Sequence, residues 1–152
     1  MTIDHNFAAA YKTFGIQAQS GLAAGTGDNT EVTSLSTGID TKPYGSPGFN
    51  SGSVVVPYKV TLGAAETLKI TLKISDSVDG VTWASDTTLA SAVTVATGVL
   101  TAINGTYEYV LDLAAYKQFL RFKITMDLSA GATDTFVYGA ALVLGGADRM
   151  PA

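Results

Sequence analysis

The sequence predicts an all-β fold, an eight-stranded jelly-roll-like β-sandwich with an extended N-terminal arm. Three observations lead there. From Glu31 onward, apolar residues recur at every second position in segment after segment, the period of a half-buried strand. The segments are short and separated by Gly, Asn and Asp turns. After residue 30, no stretch carries the apolar spacing of a substantial helix. Eight strands at this spacing fit two packed antiparallel sheets.

The first thirty residues read differently. Phe7, Tyr11 and Phe14 are spaced i, i+4, i+7, which places three aromatics along one side of a short helix. Asp4 or Asn6 suits its N-cap and Gly15 its stop. Gln17 to Thr30 (QAQSGLAAGTGDNT) reads as a loop or linker. The division expected is therefore an arm with a Gly-rich linker over 1–30 and a sandwich over 31–152.

Within the sandwich, Leu35, Thr37 and Ile39 suggest a first strand, closed by the turn-rich KPYGSPGFNSG. Val54, Val56, Tyr58, Val60 and Leu62 share a face of the next, where Pro57 calls for an edge position or a bulge. Leu68, Ile70, Leu72 and Ile74 alternate strictly with Lys69, Thr71 and Lys73. Asp79-Gly80 makes a tight turn into a short strand at Val81 to Ala84. Val93 to Leu100 alternates weakly. Thr106 to Leu113 and Gln118 to Leu128 alternate clearly, with Tyr107, Tyr109, Leu111 and Leu113 inward on the first and Leu120, Phe122, Ile124, Met126 and Leu128 inward on the second. Thr135 to Leu144 is apolar on both faces, which predicts cover on both sides: the opposing sheet, and a second subunit or the arm.

Composition narrows the function. The 152 residues contain no Cys and a single His, which removes disulfide scaffolds, thiolate metal sites and cysteine nucleophiles. The net charge of −4 argues against a nucleic-acid partner. No apolar run is long enough for a membrane span, and the N-terminus has no signal-peptide pattern. Only 14% of residues are charged, against roughly a quarter in an ordinary domain. A surface of Thr, Ser, Asn and Gly is easier to dehydrate than a charged one, which suits a protein packed among neighbours; a Thr-rich secreted β-domain has the same composition.

No constellation points to catalysis, a cofactor or a metal. His5 lies in the arm, a poor scaffold for a relay. Glu31, Glu66 and Glu108 read as solvated side chains rather than an acid/base pair. Asp76-Ser77-Val78-Asp79-Gly80 lacks the alternation and late Glu of a calcium loop, and makes better sense as a turn. Trp83 reads as core or hairpin packing, with a sugar-stacking platform as the alternative.

Three segments together resemble the small β-sandwich decoration (cement) proteins of tailed-bacteriophage capsids. They are the hairpin from Ser75 to Trp83, the strand entry Tyr116-Lys117-Gln118-Phe119-Leu120-Arg121-Phe122, and the apolar last strand running into Gly145-Gly146-Ala147-Asp148. The likeness covers roughly 53–148 and is one of pattern and order. It implies a non-enzymatic structural virion protein on the outer capsid surface, bound at junctions between major capsid proteins and stabilising the shell. The partners implied are the major capsid protein and further copies of the chain, a trimer favoured. Phe7, Tyr11 and Phe14 are the candidate contacts to a neighbouring subunit. The alternative function is a carbohydrate-binding or adhesive β-sandwich module, with Trp83, Tyr107 and Tyr109 as its platform.

Overall fold

The computed structural model describes residues 11–22, 31–42, 49–98, 101–129 and 134–147. Among these, the strands are β1 (Tyr11–Leu22), β2 (Glu31–Leu35), β3 (Ile39–Asp40), β4 (Phe49–Thr61), β5 (Thr67–Ser77), β6 (Thr87–Thr97), β7 (Ala102–Asp112), β8 (Phe119–Leu128) and β9 (Thr135–Ala147). A 3-10 turn at Leu113–Ala115, capped by the Asp112 carboxylate, leads from β7 towards β8.

Two antiparallel sheets form, one ordered β1-β9-β4-β7 and the other β2-β8-β5-β6, with β3 also on β8. Only β5 and β6 are sequence neighbours within one sheet; every other connection except the β2–β3 break crosses between sheets. Counting β2 and β3 as one interrupted strand gives eight strands in two four-stranded layers, the double-sheet jelly roll. The interruption at Ser36 is stitched to β8: its amide donates to the Phe122 carbonyl at 2.8 Å, and its hydroxyl accepts from the Phe122 amide at 2.9 Å.

The core lies between the sheets. Leu68, Ile70, Leu72 and Ile74 of β5 meet Leu120, Phe122, Ile124, Met126 and Leu128 of β8 on one inner face, all buried. Val54, Val56 and Val60 of β4, with Phe136, Tyr138, Leu142 and Leu144 of β9, line the other. Tyr58 ties the layers together: from β4, its hydroxyl donates to the Val95 carbonyl on β6 at 2.6 Å. Its ring fills the space over Gly105, where a Cβ would overlap it.

Three expectations are corrected. Residues 11–22 form neither helix nor linker: β1 pairs with β9 from Tyr11↔Gly145 to Leu22↔Phe136, so the sandwich begins at Tyr11. The reason is a period-two pattern, Phe14 and Ile16 inward and Thr13 and Gly15 outward, whose unpaired backbone groups find partners along β9. Gly21 fits the same strand because a Cβ there would overlap the Phe136 carbonyl.

Pro57 lies on a central strand with no bulge. Opposite β7 it pairs with Thr106. On the β9 side the ladder runs to Val55↔Ala141 and resumes at Tyr58↔Tyr138 in the same register. The interruption stands opposite Gly139, as expected where Pro57 has no amide to donate.

Val81 to Ala84 is loop, because the Asp79 side chain takes up the amides a ladder would have used. The cover expected on the outward side of β9 involves a second subunit or the arm ahead of Tyr11, which lie outside the described residues; Val137 on that side is 38% exposed.

Candidate interaction surfaces

The two sheets turn unlike faces outward. The outer face of β5 and β8 carries Lys69, Lys73, Arg121 and Lys123, all half-buried. Lys73 and Lys123 stand directly opposite each other, and the β5–β6 loop brings Asp86 to them. Asp86 accepts from the Ser75 hydroxyl at 2.6 Å and lies 3.9 Å from the Lys123 ammonium. The other end of the loop is pinned by Asp76, which accepts from the Lys117 amide at 3.2 Å and pairs with its ammonium at 3.4 Å.

Between these anchors Trp83 lies under Arg121, the guanidinium carbon 4.5 Å from the ring centroid. The ring's other neighbour is Gly38, where a Cβ would stand 2.9 Å from it. Arg121 Nε is buried and has no hydrogen-bond partner; the indole face beneath the guanidinium supplies the compensating attraction. Trp83 is therefore half-buried hairpin packing, as one of the two sequence readings has it.

The tip of this loop is rigidly built. The Asp79 carboxylate accepts from the amides of Thr82 at 2.8 Å and Val81 at 2.9 Å, and from the Ser77 hydroxyl at 2.8 Å. The same Ser77 oxygen accepts from the Gly80 amide at 3.0 Å. Gly80 sits at φ +71, a conformation open to glycine at little cost. Hydrogen bonds from Thr82, Val81 and Ser77 hold the Asp79 carboxyl well below the usual carboxylate range. On this fixed turn stand Val78 and Val81, 71% and 80% exposed. Sequence reasoning missed the pair, since Val81 was assigned to a strand; the signal available was two valines flanking an Asp-Gly turn.

The outer face of the four-stranded sheet is different. Val55 and Pro57 on β4, Val110 on β7, and Val137, Ala141 and Val143 on β9 all point outward, and Val110 is 73% exposed. A shallow pocket of about 260 Å³ opens there, lined by Pro57, Tyr58, Lys59, Val137, Tyr138 and Gly139, where the β4–β9 ladder is interrupted.

The predicted contact residues separate. Phe7 lies outside the described residues, as does His5. Tyr11 begins β1 and pairs through its backbone with Gly145. Phe14 is half-buried against the chain's own core. Tyr107 and Tyr109 also pack partly against the core; burial pushes the Tyr107 phenol above its usual pKa, and the nearby Tyr109 adds to the shift.

Among the described residues no group of three or more metal-ligating side chains occurs. Asp76 and Asp79 spend their oxygens on Lys117 and on the turn. Glu66 and Glu108 accept from Ser129 and Ser53 hydroxyls, each at 2.7 Å.

No protein-family model and no curated protein sequence matches the chain. Solved structures do. The VP2 subviral particle of infectious bursal disease virus superposes with a TM-score of 0.53 at 15% identity, over 93% of this chain and 34% of that one. The T13 particle of the same virus gives 0.51 at 16%, over 93% and 33%. Its Gt strain gives 0.50 at 19%, over 92% and 34%. This chain is similar to these in fold. It spans about a third of the length of the virus chains it matches.

Proposed function

We propose that this chain is a structural, non-enzymatic virion protein that seats on the outer surface of a phage capsid, at junctions between major capsid proteins, and stabilises the shell. The observation that carries the reading is the apolar tip at Val78 and Val81. Two valines held in water by a turn with five internal hydrogen bonds are a preorganised contact: little ordering entropy is lost when they dock. A narrow apolar tip on a low-charge sandwich fits a crevice between subunits. The jelly-roll fold, similar to that of virus-particle chains, supports the reading, as does the resemblance of the 75–83 hairpin to decoration proteins. Phe7, ahead of β1, is assigned a contact with a neighbouring subunit.

The carbohydrate alternative needs a wet aromatic platform. Trp83 has Arg121 on one face, and Tyr107 and Tyr109 pack partly against the core, so the structural reading is preferred. Co-sedimentation with intact and undecorated phage shells tests it. Binding that saturates at a fixed copy number per major capsid subunit supports it, and no binding at micromolar protein contradicts it.

A further inference from the structure

The outer face of the four-stranded sheet has no cover among the described residues, yet it is built like a covered one. It carries an apolar patch: Val55 and Pro57 on β4, Val110 on β7 opposite Ser53, and Val137, Ala141 and Val143 on β9. Its strands also carry glycines with open space on the side where a Cβ would stand. A Cβ at Gly15 would meet nothing within 4 Å, and one at Gly139 nothing closer than the Gln17 carbonyl at 3.6 Å. Neither residue has a positive φ. Glycine inside a strand costs stability and marks a bulge or the close approach of another backbone; Gly15 stands at a register shift of the β1–β9 ladder, and both glycines leave room for such an approach.

The charges on this face identify what approaches. Pro57 pairs with Thr106; two residues to one side is Lys59↔Asn104, and two to the other is Val55↔Glu108. Lys59 and Glu108 are both exposed and both point outward. They are thus equidistant from the Pro57–Thr106 level, on opposite sides of it. A two-fold axis lying across the strands at that level brings Lys59 of each copy to the level of Glu108 of the other. The face is electrostatically complementary to itself. Its size also fits: four strands about 4.8 Å apart, over some eleven residues rising about 3.4 Å each, cover ~700 Å², near the ~800 Å² per partner of a standard interface.

We propose that the outer face of the β1-β9-β4-β7 sheet is a two-fold interface with a second copy of this chain, with Lys59 of each copy paired to Glu108 of the other. This goes beyond the capsid reading and does not depend on it, since self-association is measured without any shell.

The test is sedimentation equilibrium of the full chain from about 1 to 100 μM, with thermal melts as a control for folding. A monomer–dimer equilibrium is expected. Lys59→Glu and Glu108→Lys should each weaken dimerisation at least about tenfold, because each sets like charges together. The double variant K59E/E108K should return it to within about threefold of wild type. Gly15→Val, which adds a side chain where this chain leaves open space, should melt no lower than wild type and yet fail to dimerise. A wild type that stays monomeric at 100 μM, or forms trimers without dimers, overturns the proposal. So does a folded double variant that remains as weak as the single ones.

Discussion

Arg121 lies with its guanidinium 4.5 Å from the centre of the Trp83 ring, joining the β5–β6 loop to the start of β8. The contact explains how the nine residues from Val78 to Asp86 stay packed without strand pairing. Asp76 and Asp86 anchor the ends through Lys117 and Lys123, and the stack holds the middle. Trp83 is the only tryptophan in the chain, so the contact has a direct spectroscopic readout. Arg121→Ala should shift Trp83 emission to the red and cost about 0.5–2 kcal/mol in a denaturant melt. Unchanged emission would mean that the guanidinium does not shield the indole.

The Asp79 turn makes a prediction about pH. Its folded pKa is depressed by the Thr82 and Val81 amides and the Ser77 hydroxyl, so its contribution is present above the unfolded value of about 3.9. That contribution is lost as pH falls from there through the depressed folded value. Amide exchange at Val81 and Thr82 should therefore remain protected at pH 4, relative to the intrinsic rate, and lose protection only in stronger acid. Asp79→Ala should remove the protection at every pH while the β5 and β8 amides stay protected.

Tyr58 is the polar tie between the two layers. Tyr58→Phe keeps the ring over Gly105 and loses only the hydrogen bond to the Val95 carbonyl, for a cost of about 0.5–1.5 kcal/mol. Gly105→Val drives a side chain into the Tyr58 ring and should cost more than the lost hydroxyl. Equal melting temperatures for the two variants would contradict this packing.

Phe122 sits fully buried on β8, the strand flanked by β2 and β5. Phe122→Ala should cost about 3–5 kcal/mol, measured by urea unfolding. A loss below 1 kcal/mol would contradict the core described here.

How far the sequence could be read depended on whether a strand's own side chains carry its periodicity. β5, β8 and β9 were legible because each places four or more large apolar side chains on the inner face. The inner face of β6 is marked mainly by Ala90 and Ala96, so its alternation is faint and its start at Thr87 was missed. β1 was misread because Phe7, Tyr11 and Phe14 mimic a helical stripe and Gly21 mimics a linker. The short period-two pattern at Thr13–Ile16 was outweighed by that stripe, and the partner that completes β1, the backbone of β9, lies more than about 110 residues away. The eight-strand count survived because one strand missed, β1, offset one wrongly assigned at Val81 to Ala84. In that segment β-branched residues suggested a ladder, and a single carboxylate supplied the hydrogen bonds instead. Of the candidate site, Trp83 and the Asp79-Gly80 turn were legible. The exposure of Val78 and Val81, and the apolar outer face of the four-stranded sheet, required the tertiary arrangement.

The claim that this chain braces a phage shell through its Val78–Val81 tip is tested most directly by counting copies bound per major capsid subunit, for wild type and for a variant with Val78→Asp and Val81→Asp. Both positions are exposed, so the variant should fold and melt like wild type. The account predicts saturable wild-type binding at a fixed ratio, and at least about a tenfold weaker affinity for the variant. Wild-type protein that does not bind shells at micromolar concentration, or a folded variant that binds as tightly as wild type, would contradict it.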